Sequence, residues 1–343
     1  MAECLFADGT VVSDYGRPYI VSEVNSSHRG DIEIARKMVD VSANIGCDCV
    51  KFQSWSAESL YSRSYYDANP ISKKIIKKVS LSSDQIKEMA QYSIDKGIAF
   101  SSTPYSEEEV DFLIEECNVP YVKIASMEIN NPRFLRYIGS KRVPIVLSTG
   151  MSTIDEIESA VTVLEDSGVT QMVILHCVSI YPTVLNTVNL NNIIGLRDRF
   201  PNYPIGFSDH TEGDEAAIAA VALGAALIEK HITLDKKKIG MDNGMATEPA
   251  EFGDMVRKCR DIQIAMGTKD RIVTGDEIEQ RNNMRRIITA AIDIHKGHII
   301  TVEDLYAKRP GTGISPTKMD LIVGKVAKKD IEADTLIGFD DFG

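Results

Sequence analysis

The stretch Pro204–Thr233 opens with PIGFSDHTEG (Pro204–Gly213), continues through EAAIAAVAL (Glu215–Leu223) and closes on LIEKHIT (Leu227–Thr233). Two short apolar runs, Pro204–Ser208 and Leu227–Glu229, each end in a polar cluster carrying one histidine, His210 and His231. The alanine-rich run between them has helical composition and stops at Gly224, so the spacing predicts a strand–loop–helix–strand unit. Parallel strands joined by a crossover helix end on the same side of their sheet. His210 and His231 then face one pocket, with Asp209, Glu229 and Lys230 nearby. Two explanations stand for the pair. Neutral imidazoles at adjacent strand ends are ligands for a divalent metal, or they are rim histidines satisfied by hydrogen bonds. The spacing is less specific than a HExxH helix.

Working outward, the same alternation recurs over residues 1–266. Strand-like runs at Pro18–Val24, Cys47–Phe52, Ile98–Ser102, Tyr121–Ala125, Pro144–Leu147 and Gln171–Leu175 each precede a helical pattern. A polar, aromatic-bearing insertion follows the second run. Thr153 and Glu156 form a capping-box pattern at the head of one helix. Eight buried strands, each followed by a helix, predict an α/β fold, a (β/α)8 TIM barrel. A doubly wound open sheet would want a Gly-rich phosphate fingerprint after the first strand, and SEVNSSHRG is not one. Residues 267–284 are polar and without sustained periodicity, which predicts a linker. Residues 285–343 change to short β-like runs separated by Gly and Asp turns, a small, mostly-β domain that would be marginal alone.

Composition limits the function classes. The 343 residues are 43% hydrophobic and carry 38 basic against 50 acidic side chains, a net charge of −12. That balance argues against a general nucleic-acid binder. No apolar run is long enough to span a membrane, and MAECLFADG shows no secretory signal pattern. The six cysteines form no C-x-x-C or zinc spacing, so reduced core thiols and a cytoplasmic enzyme are expected.

In a barrel the strand C-termini face one mouth. They supply Glu23 with Asn25 and His28, Lys51 with Gln53, and Ser102 with Thr103. Next come Lys123, Ser126 and Glu128, then Ser148 and Thr149, then His176, Ser179 and Tyr181. Ser208, Asp209, His210, Glu229, Lys230 and His231 complete the ring. Lys51 and Lys123 lie inside strand-like runs, where lysine is rarely buried without an anionic partner. With Ser126, Ser179 and Ser208 they predict a site for a phosphate and a carboxylate. The alternative is that each snorkels or pairs with a neighbouring glutamate. Glu128, Glu23 and Asp242 are candidate acid–base or hydroxyl-binding carboxylates, or plain ion-pair partners. Tyr181 and Trp55 are pocket walls or packing, and His295 and His298 read as solvated turn residues.

Eight stretches together carry a family resemblance. They are KFQ (Lys51–Gln53), STP (Ser102–Pro104), KIASMEINN (Lys123–Asn131), STGM (Ser148–Met151), HCVSIYPT (His176–Thr183), GFSDHT (Gly206–Thr211), EKHITLD (Glu229–Asp235) and KRPGTGIS (Lys308–Ser315). In this order the chain resembles, over essentially its whole length, the sialic acid (nonulosonic acid) synthases: N-acetylneuraminate, legionaminate and pseudaminate synthases with a barrel and an antifreeze-like SAF domain. The resemblance implies condensation of phosphoenolpyruvate with an open-chain N-acylated amino sugar, giving a nine-carbon 2-keto acid and phosphate. The acceptor would be N-acetylmannosamine or a 2,4-diacetamido-6-deoxy hexose. It implies Mn2+ or Mg2+ on His210 and His231, and phosphoenolpyruvate near Lys51, Lys123, Ser126, Ser179, Tyr181 and Ser208. Sugar contacts would come from Glu23, Gln53, Tyr181 and Asp242, with Glu128, Glu23 and Lys51 catalytic. Arg309 would close a neighbouring subunit's pocket over the N-acyl group in a domain-exchanged homodimer.

The departures cluster on the sugar side. Where the family's first strand ends like AEIGxNHxG, Asn25 stands at the glycine and Ser27 at the asparagine. GMDN replaces GPDH, putting Asn243 at the histidine; GMATEP lacks a Ser-Leu pair, and Met127 replaces a common glycine. An acceptor other than N-acetylmannosamine is therefore expected. A synthase acting on a phosphorylated aldose is the nearer alternative, although such barrels lack the SAF tail. A non-catalytic carbohydrate-binding protein is the more distant one.

Overall fold

The computed structural model describes residues 1–238, 240–309 and 311–343. Among these described residues are twelve strands. The first unit, Met1–Gly267, holds β1 (Glu3–Leu5), β2 (Val11–Ser13), β3 (Tyr19–Glu23), β4 (Cys49–Gln53), β5 (Ala99–Thr103), β6 (Val122–Ile124), β7 (Ile145–Ser148), β8 (Met172–Cys177), β9 (Ile205–Asp209) and β10 (Leu227–His231). β3 to β10 make one eight-stranded sheet in the order β5-β4-β3-β10-β9-β8-β7-β6. Every ladder in it is parallel. β10 pairs with β3, so the sheet curls into the expected barrel. Its ends meet at a seam between β5 and β6, bridged where Ser101 Oγ donates to the Tyr121 carbonyl at 3.4 Å.

Period-two alternation divides the strand residues into two cores. Ile20, Val50, Phe52, Ile124, Ile174, Phe207 and Ile228 point outward into the layer covered by helices. Val21, Cys49, Val146, Val173, Leu175 and Leu227 point inward, packed with Phe6 and Val12. Gly206 in β9 permits close packing inside: a Cβ there would lie 2.5 Å from Leu175 Cδ2 and 2.6 Å from the Leu227 carbonyl. Helices begin where the sequence places caps, with Thr153 and Glu156 forming a capping box on Ile154–Asp166 and Ser82 and Gln85 one on Ser83–Asp95. Each such cap contributes about 1 kcal/mol.

Two features of this unit differ from the sequence expectation. β1 and β2 form an antiparallel hairpin at the N-terminal end of the barrel, where Phe6 packs 4.7 Å from Tyr121 and 5.3 Å from Tyr19 (ring centroids). These strands are three residues each, too short for a periodicity to register. The insertion after β4 is helical, over Ala57–Leu60, Arg63–Ala68 and Pro70–Val79, around a small core of Trp55, Ala57, Tyr66 and Ile76. No helix among the described residues is long and apolar enough to cross a membrane.

The second unit, Thr268–Gly343, pairs β11 (Ile287–Ala290) with β12 (Leu305–Lys308) in antiparallel register. Isolated bridges extend this, among them Ile294 with Ile331 and Ile299 with Val326. Its core includes Ile288, Ile294, Ile300, Ile314, Ile322 and Ile337. The segment read as a linker contains a helix at Gly275–Met284, capped by Thr274 and Glu277, with no buried residue. Ile278 and Met284, its large apolar residues, are six positions apart and make no apolar stripe to read. His298 is not simply solvated: its Nε2 lies 2.8 Å from Oδ2 of buried Asp304, which also accepts from the Thr301 amide at 2.8 Å.

Candidate active site

The strand alternation that builds the inner core also builds the site. One step toward the C-terminal ends from the inward row Val21, Cys49 and Leu227 come Glu23, Lys51 and Glu229, so a polar layer rests on an apolar one. Lys51 and Lys123 are 2% and 4% exposed, yet both have partners. Glu229 lies between them, its Oε2 3.7 Å from Lys51 Nζ and its Oε1 3.4 Å from Lys123 Nζ. Ser208 Oγ donates to Glu229 Oε1 at 3.1 Å, while Oε2 has no hydrogen-bond partner. Lys51 also pairs with Glu23 and donates to Thr103 Oγ1 at 3.2 Å; Lys123 donates to Ser148 Oγ at 2.7 Å. Glu23 Oε1 accepts from Gln53 Nε2 and from the Asn25 amide, both at 3.0 Å.

The charges are mutually tuned. Burial works against the Glu229 carboxylate, but Lys123 and Lys51 overcome it and hold the group below the usual range. Burial likewise opposes the Lys51 ammonium, and Glu229 with Glu23 overcomes it. For Lys123 burial wins and the ammonium is lowered, with Glu229 opposing. Burial pushes the Glu23 carboxyl up against the pull of Lys51.

Above this floor stand the two histidines, ring centroids 5.3 Å apart and planes at 75°. His210 Nδ1 lies 2.8 Å from the Val178 carbonyl, a contact that places a proton on Nδ1 and makes Nε2 the ligating atom of the neutral ring. Burial opposes the charged ring, but Cys177 and that carbonyl outweigh it and raise the group. Burial lowers His231 well below the ordinary histidine value, which keeps it neutral. Among the described residues no cluster of three or more His, Cys, Asp or Glu side chains is arranged around a point. Two imidazoles are the donors this pair offers, so a cation held here would take its remaining ligands from water or substrate. Tyr181, 48% exposed, lays its ring 4.3 Å from that of His210.

On another side, Ser126 Oγ accepts from the Gly150 amide at 3.0 Å. A Cβ at Gly150 would lie 2.2 Å from Ser179 Oγ, so only glycine lets these two hydroxyls converge. The lining also includes Trp55, Leu60, Tyr61, Tyr105, Met127 and Met241, with Asp242. The cavity, open at the barrel mouth, is about 330 Å³, in the range of small-molecule sites.

The pocket thus brings together Glu23, Lys51, Gln53, Lys123, Ser126, Ser179, Tyr181, Ser208, His210, His231 and Asp242. Glu128 is not in its lining. It sits at the end of the turn Ser126–Glu128, its Oε2 accepting from Asn131 Nδ2 at 2.9 Å, and burial raises its carboxyl. Arg309 lies in the second unit, exposed, 3.6 Å from Met284 Sδ. His176 points outward, stacked 5.6 Å from Phe207 with Nε2 2.7 Å from the Val188 carbonyl. His28 packs on Phe52, accepts from the Gly30 amide at 3.0 Å, and is lowered by burial to about 4. Asn243 is buried outside the lining, bonded to Thr233 Oγ1 at 2.5 Å and to the Asp235 and Lys238 carbonyls at 2.8 Å. Sequence reasoning placed Glu229 at the mouth but gave it no role. Two lysines on inward positions, one on β4 and one on β6, were the signal that a buried carboxylate had to face them.

A barrel whose strand ends gather buried cations, carboxylates and free imidazoles in one cavity has the architecture of a (β/α)8 enzyme. Residues 38–271 match the NeuB family and residues 285–343 the SAF domain. The chain belongs to the NeuB family of sialic-acid-type nonulosonic acid synthases. It is 38% identical over 329 residues to the N,N'-diacetyllegionaminic acid synthase of Campylobacter jejuni, covering 93% of this chain and 98% of that one. Identity to the human N-acetylneuraminate-9-phosphate synthase is 31% over 328 residues, with 93% and 91% covered. The crystal structure of N-acetylneuraminic acid synthetase from Leptospira borgpetersenii, in complex with citrate, superposes with a TM-score of 0.74 at 28% identity, covering 82% and 98%.

Proposed function

We propose that this chain condenses phosphoenolpyruvate with the open-chain form of an unphosphorylated N-acylated amino sugar, using a divalent ion, to give a nine-carbon 2-keto acid and phosphate. The observation that carries this is the convergence of buried Lys51 and Lys123 on one cavity that also holds two imidazoles with metal-ligand chemistry. Lys51 and Lys123 are the only lysine or arginine side chains among the described lining residues. They bind the phosphate and carboxylate of one substrate, with Ser126 and Ser179 completing the cradle. The other wall is apolar and aromatic around Asp242 and Gln53, suited to an acceptor with acyl or deoxy methyl groups rather than a second phosphate.

In this scheme carbon 3 of the enol attacks the aldehyde carbon and water adds at carbon 2. The tetrahedral adduct then loses phosphate by C–O cleavage. Held on His210 and His231, Mn2+ or Mg2+ would supply Lewis-acid polarisation of the aldehyde and orientation of water. Glu23, its carboxyl raised by burial against the pull of Lys51, is placed to take up and return a proton beside the reacting groups. Lys51 stabilises the charge released as the phosphate departs. Met127, Met151 and Met241 are exposed in the pocket lining, and Ile180, next in sequence to Tyr181, is exposed as well. An apolar rim of this kind suits cover by a partner. A homodimer that exchanges SAF domains and brings Arg309 to the partner's pocket belongs to this proposal. So does a cytoplasmic location, which suits six free, buried cysteines.

The test is phosphate release from phosphoenolpyruvate with Mn2+, across N-acylated hexosamines and their 2,4-diacetamido-6-deoxy relatives. Turnover is expected with one diacetamido sugar, abolished by chelation and lowered at least ~100-fold in His210→Ala and His231→Ala. Manganese binding followed by electron paramagnetic resonance should weaken in parallel. Release that survives chelation removes the metal from the scheme. Silence with every sugar, while manganese still binds, removes the acceptor class.

A further inference from the structure

Asn25 lies two residues past Glu23, at φ +45° and 5% exposed. Asparagine is among the few residues that adopt this left-handed conformation at tolerable cost. Its backbone N–H donates to Glu23 Oε1 at 3.0 Å, and its side-chain Nδ2 donates to Asp242 Oδ2. Asp242 is 217 residues further along the chain, on the segment after β10. This is the one hydrogen bond that the Asp242 carboxylate makes among the described residues. The connection runs on from Glu23 Oε1 to Gln53 Nε2 at 3.0 Å, and from Gln53 Oε1 to Trp55 Nε1 at 2.6 Å. All five residues line the pocket. Asn243, next to Asp242, fastens the same segment to its own backbone at Asp235 and Lys238. Asn243 thus shapes the loop, and Asn25 aims one carboxylate of that loop into the cavity.

We propose that Asn25 is a specificity-determining positioning residue: it acts through Asp242, holding that carboxylate where it accepts a hydroxyl or amide N–H of the acceptor sugar. This rests on the proposed condensation. The phosphate-bearing substrate is held from β4 and β6, by Lys51 and Lys123, so loss of the Asn25 side-chain carboxamide falls on the acceptor alone.

Asn25→Gly is the informative variant, because glycine keeps a positive φ without strain and removes only the side chain. Trp55 is the single tryptophan and lies in the wall, so its fluorescence reports binding without turnover. Asn25→Gly is expected to raise the acceptor KM at least about tenfold, leave phosphoenolpyruvate affinity within twofold by Trp55 quenching, and change nothing further in an Asp242→Ala background. In the ligand-free protein, amide hydrogen exchange over 241–246 should quicken. An acceptor KM within twofold of wild type, or an equal effect with and without Asp242, overturns the proposal. So does unchanged exchange, and that measurement stands whatever the reaction is. A wild-type protein that consumes phosphoenolpyruvate with no sugar defeats the proposed function instead, and exchange still decides whether Asn25 holds Asp242.

Discussion

Replacing Lys51 with Met is expected to lower kcat/KM for phosphoenolpyruvate by on the order of 10³, with the acceptor KM changed far less. Lys51 is fully buried and meets Glu23 and Glu229 at once. Met nearly preserves its volume, so the loss is one of charge rather than space. Removing a single preorganised donor from a buried site costs about 10²–10³ in rate. Here an uncompensated carboxylate is also left facing an incoming multiply charged anion, which places the effect at the upper end. Stability should fall by about 3 kcal/mol, because a buried pair has lost its cation. Glu23, already raised by burial, moderates the loss by taking a proton. Phosphate release and urea unfolding check the two effects separately. A variant that folds with wild-type stability and keeps its phosphoenolpyruvate turnover would remove Lys51 from the anion site.

Glu229→Gln should be the most destabilising change on the inner face of the barrel, and its cost should depend on pH in a defined direction. Glu229 is the carboxylate shared by both lysines. Without it the Lys123 ammonium, already lowered by burial with Glu229 opposing, falls further. Unfolded lysine keeps a pKa of about 10.4. Over the neutral range the unfolded variant therefore binds more protons than the folded one, and its stability rises with pH. The deficit against wild type is expected to be about 3–5 kcal/mol at pH 6 and to narrow toward pH 9. Turnover should fall by about 10² as the ammonium population declines. Urea midpoints measured across that pH range check the sign. A deficit that is constant or widens with pH would show that Lys123 does not depend on Glu229 for its charge.

The barrel was legible because its strands are apolar, two-faced and separated by ordinary amphipathic helices. The same alternation carried Lys51, Lys123, His210 and His231 to one pocket. What escaped notice was decided by contacts distant in sequence. Lys123 implies a buried carboxylate, but sequence cannot choose among Glu128, Glu229 and Glu23, and Glu128 instead turned away onto Asn131. His176 and His210 both sit at strand ends, yet only the latter falls on the inward parity. The departures at Asn25 and Asn243 looked equivalent in the sequence. Asn25 lines the cavity, whereas Asn243 ties down a loop. The helix at Gly275–Met284 carried a readable cap in Thr274 and Glu277 but no apolar stripe to support it.

The seam between β5 and β6 gives the barrel a line of weakness. Seven of its eight staves are joined to the next by parallel ladders, while this edge is bridged by a side-chain hydroxyl on a carbonyl. Ladders resist peeling along their whole length, so thermal breathing concentrates where none exists. Lys51 rises from β4 on one side of the seam and Lys123 from β6 on the other. A polyanion that engages both lysines therefore works as a clasp. Its charge sews together the two lips of the barrel, and the ligand becomes a structural member of the wall that encloses it.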